Sequence, residues 1–129
     1  MPVKTAKNHY LGLSEHKRMN CAQSVIAAFK DKFDLKDEEI EEFKHFGGGK
    51  APEGLCGAFY ASKYILKQFH IEKEIEFEKY FVKLSGSNKC REIRQRKIFS
   101  CLDCVEKSAE YLSGICEKRS ANRSVTAAL

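Results

Sequence analysis

Apolar residues recur along this chain at intervals of three and four, the spacing that places them on one face of an α-helix. Ala22, Val25, Ile26, Phe29 and Phe33 form the first such face, and Ser14 and Asn20 are both able to cap its start. Asp37 is placed to cap a second, acidic helix from Glu38 to His45, with Ile40 and Phe43 facing inward. Its acidic first turn suits the helix dipole. Gly47, Gly48 and Gly49 end it, since glycine takes left-handed backbone without a steric cost. A third helix is predicted from near Glu53 to about Phe69, striped by Leu55, Phe59, Ser62, Leu66 and Phe69. A fourth covers Glu72 to Leu84 and carries Phe77, Tyr80, Phe81 and Leu84. Ser85-Gly86-Ser87-Asn88 breaks it, with Asn88 able to cap a fifth. The final face joins Ile98, Cys101, Leu102, Val105, Ala109, Leu112 and Cys116. No proline or glycine separates it from the fifth helix, so one continuous helix and two separate ones both fit the pattern. From Lys118 the periodicity fades, and residues 118–129 are expected to be a flexible tail. No repeat, low-complexity block or strand pattern is present. The expected fold is all-α, a compact single-domain bundle of about five helices over residues 1–129, with its core at about 14–117.

With 129 residues the chain is long enough to bury a core without covalent staples, which weakens a purely structural reading of its six cysteines. The N-terminus, Met1-Pro2-Val3-Lys4-Thr5-Ala6-Lys7-Asn8, lacks the apolar stretch of a signal peptide. The longest apolar run, Val25 to Phe29, is far too short for a membrane span. The expected compartment is the cytoplasm, where thiols are kept reduced. The net charge is only +5. The densest basic stretch is Lys89, Arg91, Arg94, Arg96 and Lys97, with few aromatics interleaved, so a solvated face is the plain reading and no nucleic-acid partner is expected.

The cysteines carry the candidate chemistry. Cys56 follows the glycine-rich turn and Cys90 follows the second loop, both at predicted helix starts. Free N–H groups and the helix dipole favour a thiolate there, and Lys89 and Arg91 flank Cys90. The dipole alone contributes roughly 0.3–1 kcal/mol, against about 1.4 kcal/mol per pKa unit. Strong activation therefore needs a further partner, for which Lys50 is close in sequence to Cys56. Cys21 lies on the first helix, where a small buried hydrophobe is the ordinary alternative. Cys101 and Cys104 form a Cys-x-x-Cys pair that is expected inside a helix, away from the dipole, and Cys116 reads as core filling. His45 precedes the glycine run; it can approach Cys56 as a base, but capping the helix end is the simpler role. No histidine stands at zinc-finger spacing from a cysteine, and no phosphate-binding or dinucleotide motif is present.

The segments Asn20-Cys21-Ala22-Gln23-Ser24-Val25, Phe46-Gly47-Gly48-Gly49 with Cys56-Gly57-Ala58, Cys90-Arg91-Glu92-Ile93 and Cys101-Leu102-Asp103-Cys104-Val105 together resemble the C-GCAxxG-C-C family of redox-active proteins. The resemblance covers about residues 20 to 113 and rests on the order and spacing of all four segments. It implies that Cys21, Cys56, Cys90 and Cys101 are the four characteristic cysteines, with Cys104 and Cys116 as additions in this chain. Ala61 stands where the pattern Cys-Gly-Ala-x-x-Gly ends in glycine. The resemblance also implies redox or metal chemistry, an unspecified redox partner and a transport-linked role.

Two functions follow as expectations. In the first, the protein is a thiol–disulfide oxidoreductase without a cofactor, with Cys90 or Cys56 attacking and Cys21 and Cys101 as resolving or paired thiols. In the second, Cys21, Cys56, Cys90 and Cys101 bind an iron–sulfur cluster or another metal. Aromatics such as Tyr64 and Tyr80 are expected at the surface, consistent with a homodimer.

Overall fold

The first apolar face becomes the innermost helix. The computed structural model describes residues 2–69 and 72–128, and the side chains among them as far as Glu117. In it α2 (Cys21–Ala28) packs against α1 (Pro2–Leu11), α4 (Gly57–Gln68) and α7 (Cys101–Ala128). Ala22, Val25, Ile26 and Phe29 are fully buried there. A short acidic α3 (Asp37–Glu42) and a 3-10 turn (Phe43–Phe46) lie on the same side of α2. A second 3-10 turn (Pro52–Gly54) leads into α4. Outside these, α5 (Glu74–Ser85) packs on α4 and α7, and α6 (Cys90–Arg96) precedes the last helix. Extended pairing among the described residues is limited to a single antiparallel bridge between Leu55 and Lys89. The fold is all-helical, as the periodicity predicts.

Seven α-helices form among the described residues rather than about five. One addition is α1, whose single fully buried residue is Ala6, with Val3 and Tyr10 packed at its edge. A face that small leaves no stripe in the sequence. An ion pair of 2.6 Å between Lys7 and Glu106 ties α1 to α7. The other is the separation of α6 from α7. Lys97 takes a left-handed backbone (φ 56°) that ends α6. Ser100 then starts α7 with a capping box: its Oγ accepts from the Asp103 N–H at 3.1 Å, and Asp103 Oδ2 accepts from the Ser100 N–H at 2.9 Å. Ile98, expected on the final apolar face, sits in the intervening turn and is 64% exposed. The expected tail, 118–129, falls on the last part of α7 and on side chains outside the described ones.

Aromatic rings fill the spaces between helices. Phe59 stacks on Phe77 at 5.5 Å and meets Phe81 at 5.1 Å, joining α4 to α5. Phe43 meets Tyr60 and Tyr64, joining the 3-10 turn to α4. Tyr64 and Tyr80 are therefore half-buried in ring contacts instead of exposed.

The approach of α2 to α4 depends on Gly57. A Cβ placed there would lie 2.6 Å from Cys21 Sγ and 2.7 Å from the Phe46 carbonyl oxygen. Neither atom has room to retreat, because Cys21 is 6% exposed and the other is backbone. Gly57→Ala is expected to destabilise the fold by about 1–3 kcal/mol through overpacking. That exceeds the gain in helix propensity, at most about 1 kcal/mol. Denaturant titration checks it, and an unchanged midpoint would refute the close approach.

Candidate functional site: cysteines gathered at helix starts

The chain reaches this site several times, each time at the beginning of a helix. Cys21 is the first residue of α2. Its position is set by Asn20, whose Oδ1 accepts from the Gln23 N–H at 2.8 Å and whose Nδ2 donates to the carbonyls of Lys44 (2.9 Å) and Phe43 (3.3 Å). Gln23 Nε2 donates to the Ile40 carbonyl at 3.0 Å. One polar pair thus caps α2 and fastens the start of the glycine turn beside it.

Cys56 is the N-cap of α4. Its own N–H donates to the Asn88 carbonyl at 2.8 Å, which brings the loop before Cys90 alongside. Asn88 therefore serves through its backbone, and Lys89 is the N-cap of α6 in its place. Ser87 Oγ accepts from the Lys89 N–H at 3.0 Å and shapes the same loop. Cys90 is the first residue of α6 and rests on the glycine turn, with its Sγ 3.8 Å from where a Gly49 Cβ would be. Cys101 is the first residue of α7. The expectation that it lies inside a helix, away from the dipole, is corrected by the Ser100 cap.

These elements bring Cys21, Cys56, Cys90 and Cys101 into electrostatic reach of one another: a charge on Cys101, Cys56 or Cys21 acts on Cys90, and a charge on Cys56 or Cys101 acts on Cys21. They also bring in a fifth sulfur. Cys104 is 1% exposed, and its thiol is in hydrogen-bonding contact with that of Cys56. The sequence reading set Cys104 aside as an addition, yet it is the nearest partner of Cys56. One turn of α7 separates Cys104 from Cys101, so a single helix carries both an inner and an outer thiol. Cys116 packs half-buried against the core, as expected.

The electrostatics differ from the expectation of ready thiolates. Contact with the Cys104 thiol, and then burial, push the Cys56 thiol well above its ordinary value. The N–H groups of Phe59 and Ala58 face its sulfur without closing a cap hydrogen bond and offset only part of this. Burial, and then a charge on Cys56, raise Cys21, while the N–H of Gly48 opposes them. Burial also raises Cys90, and the cation that offsets it is Arg94, one turn along α6, rather than the flanking Lys89 or Arg91. Lys50 is exposed, and so is His45, in the last turn of the 3-10 segment. Desolvating a thiolate costs more than a helix terminus returns.

Cys101 is the most open member of the five. It lines a cavity of about 420 Å³ together with Tyr10, Arg18, Cys21 and Arg94. The Arg94 guanidinium donates to its Sγ at 3.9 Å. The Tyr10 hydroxyl, pushed up to about 12 by burial and then by the Cys101 charge, hydrogen-bonds to it as well. Cys90 opens on a second cavity of about 520 Å³, which shares Arg94 and Gly48 with the first. Among the described residues no group of three or more His, Cys, Asp or Glu side chains is arranged to hold a metal ion.

Linkage sets the sign of a pH effect. The folded thiols of Cys21, Cys56 and Cys90 keep their protons to higher pH than unfolded thiols, which titrate near about 8.5. Their contribution is full below about 8.5 and is lost as pH rises through the raised folded values. Stability of the reduced protein is therefore expected to fall as pH rises above about 8.5, and that of Cys56→Ala to fall less steeply. Denaturant midpoints measured across that range check it, and equal slopes would contradict it.

The order of these cysteine segments is also that of a known family. The model of the family described as "Putative redox-active protein (C_GCAxxG_C_C)" matches residues 19–115. The comparisons with curated proteins and with solved structures return no match. No helix among the described residues is long and apolar enough to cross a membrane. With three-quarters of its length matched and the four segments in place around one cluster, the chain belongs to the C_GCAxxG_C_C family.

Proposed function

We propose that this protein performs thiol–disulfide exchange in the reducing environment of the cytoplasm, with Cys101 as the thiol that meets the partner. The observation that carries this reading is the placement of Cys101: partly open on a cavity wall, with Arg94 and Tyr10 donating to its sulfur and other thiols directly behind it. Attack requires a thiolate, and exchange requires a second thiol within reach. Arg94 serves both needs, because it contacts Cys101 and acts on Cys90. Cys101 thus takes the attacking role that the sequence alone suggested for Cys90 or Cys56.

The exchange balances as follows. Cys101 gives its proton to solvent, and its sulfur attacks one sulfur of a partner disulfide. The partner's S–S bond breaks, and the released partner thiolate takes up a proton. A mixed disulfide now joins Cys101 to the partner. Cys90, losing its proton in turn, attacks the Cys101 sulfur and displaces the second partner thiolate. The partner is reduced to a dithiol, and the protein holds a Cys90–Cys101 disulfide. Thiolates of Cys21 and then Cys56 can pass that disulfide inward until Cys56–Cys104 is oxidised and the outer pair is free again. Raised values at Cys21 and Cys56 make the inward steps slower than the first at neutral pH.

Thiol titration of the full chain tests the reading. A small disulfide is expected to remove thiols in pairs, and dithiothreitol to restore them. Cys101→Ser is expected to slow the loss by at least about tenfold, and Cys116→Ser to leave it unchanged. A thiol count that does not move under any disulfide would overturn the proposal.

A further inference from the structure

The two openings onto the cysteine cluster carry charge of one sign. The first cavity is lined by Arg18 and Arg94, and the second by Arg91 and Arg94. Among the described residues, neither lining includes an aspartate or a glutamate. This is unlike the chain as a whole, where 18 acidic residues stand against 23 basic ones. Nor are these arginines engaged elsewhere, since the ion pairs among the described residues all use lysine. Elsewhere in the molecule lysines are paired along helix surfaces; at the mouths of the cluster guanidinium groups stand without carboxylates.

Arginine is suited to this position. Its planar fork binds a carboxylate through two parallel hydrogen bonds, and it remains charged at every pH at which thiols react. A concave wall of one sign also raises the local concentration of the opposite sign. The first cavity also places Tyr10 beside the thiol. Its volume of about 420 Å³ is in the range that holds a small molecule.

We infer that the cavity bounded by Arg18, Arg94, Tyr10 and Cys101 is a docking site for a small carboxylate-bearing disulfide, held by its anionic groups with its S–S bond against Cys101. The inference rests on the thiol–disulfide reading above and names its substrate class. Arg18, at the rim, binds a carboxylate and steers entry. Arg94, also exposed, lies against the Cys101 sulfur. The exchange is the one already written, with the small disulfide as oxidant: its S–S bond breaks, Cys101 and Cys90 become joined, and two small thiols leave with the two cysteine protons.

The test uses the full-length reduced chain and three probes: glutathione disulfide (anionic), hydroxyethyl disulfide (neutral) and cystamine (cationic). Each oxidation rate is divided by that of the same probe with a small uncharged thiol, which removes intrinsic reactivity. The normalised rates are expected to fall in the order anionic, neutral, cationic, and the anionic advantage to shrink as salt is added. Arg18→Gln is expected to lower the anionic-to-neutral ratio by roughly tenfold, equivalent to about 1.4 kcal/mol. Arg18→Lys keeps the charge and is expected to lose less, and Lys83→Gln, exposed on α5, to change nothing. Equal normalised rates for the three probes would overturn the docking site while leaving the exchange reading standing. Oxidation by none of them would overturn both.

Discussion

The structure turns on the contact between α2 and α4, where the Cys21 sulfur lies against a backbone that has no side chain. Gly57 makes this possible, since any Cβ would occupy the space of the sulfur. The contact has a chemical consequence beyond packing. It sets the start of α2 beside the start of α4, so that the thiols of Cys21 and Cys56 act on one another although their segments lie more than thirty residues apart. Asn20 and Gln23 lock the same junction from outside by tying α2 to the 3-10 turn and to α3. The Leu55–Lys89 bridge and the Cys56–Asn88 hydrogen bond then bring up the third segment. The fourth is delivered by α7, which packs on α2 and α4. A family signature of four scattered cysteine segments is, in the folded chain, a description of one place.

That place is organised in depth. Cys56 and Cys104 form a buried inner pair, Cys90 and Cys101 share Arg94 at the outside, and Cys21 communicates with both. Two opposing effects decide the chemistry. Helix starts favour thiolates by a fraction of a pKa unit each, whereas burial and neighbouring sulfurs act in the other direction and win at Cys21, Cys56 and Cys90. The cluster therefore favours the protonated forms of Cys21, Cys56 and Cys90 and carries arginines at its openings.

Much of this was legible in residue order. The periodicity of Ala22, Val25, Ile26 and Phe29 marked the central helix, and the glycine run marked the turn that wraps the sulfurs. Cys56 and Cys90 were readable as helix starts from the loops before them. The start of α7 was also encoded, in Ser100-Cys101-Leu102-Asp103, but a capping box is a weaker signal than a glycine, and the apolar stripe runs on through Ile98 as if unbroken. α1 left no trace because one alanine suffices to seat it. Cys104 was missed for a different reason. Its partner comes from a distant helix, and no local pattern records which sulfur will lie opposite another across a core. The choice of Arg94 over Lys89 and Arg91 has the same origin: one turn of helix brings Arg94 back beside Cys90.

The central claim is that thiols far apart in the chain meet in one cluster, and disulfide mapping of the partially oxidised monomer tests it most directly. After limiting oxidant and an acid quench, the account predicts cross-linked peptides joining Cys90 to Cys101 and Cys56 to Cys104, with Cys116 absent from every cross-link. Links that form only between molecules, or that engage Cys116 as often as the others, would contradict it.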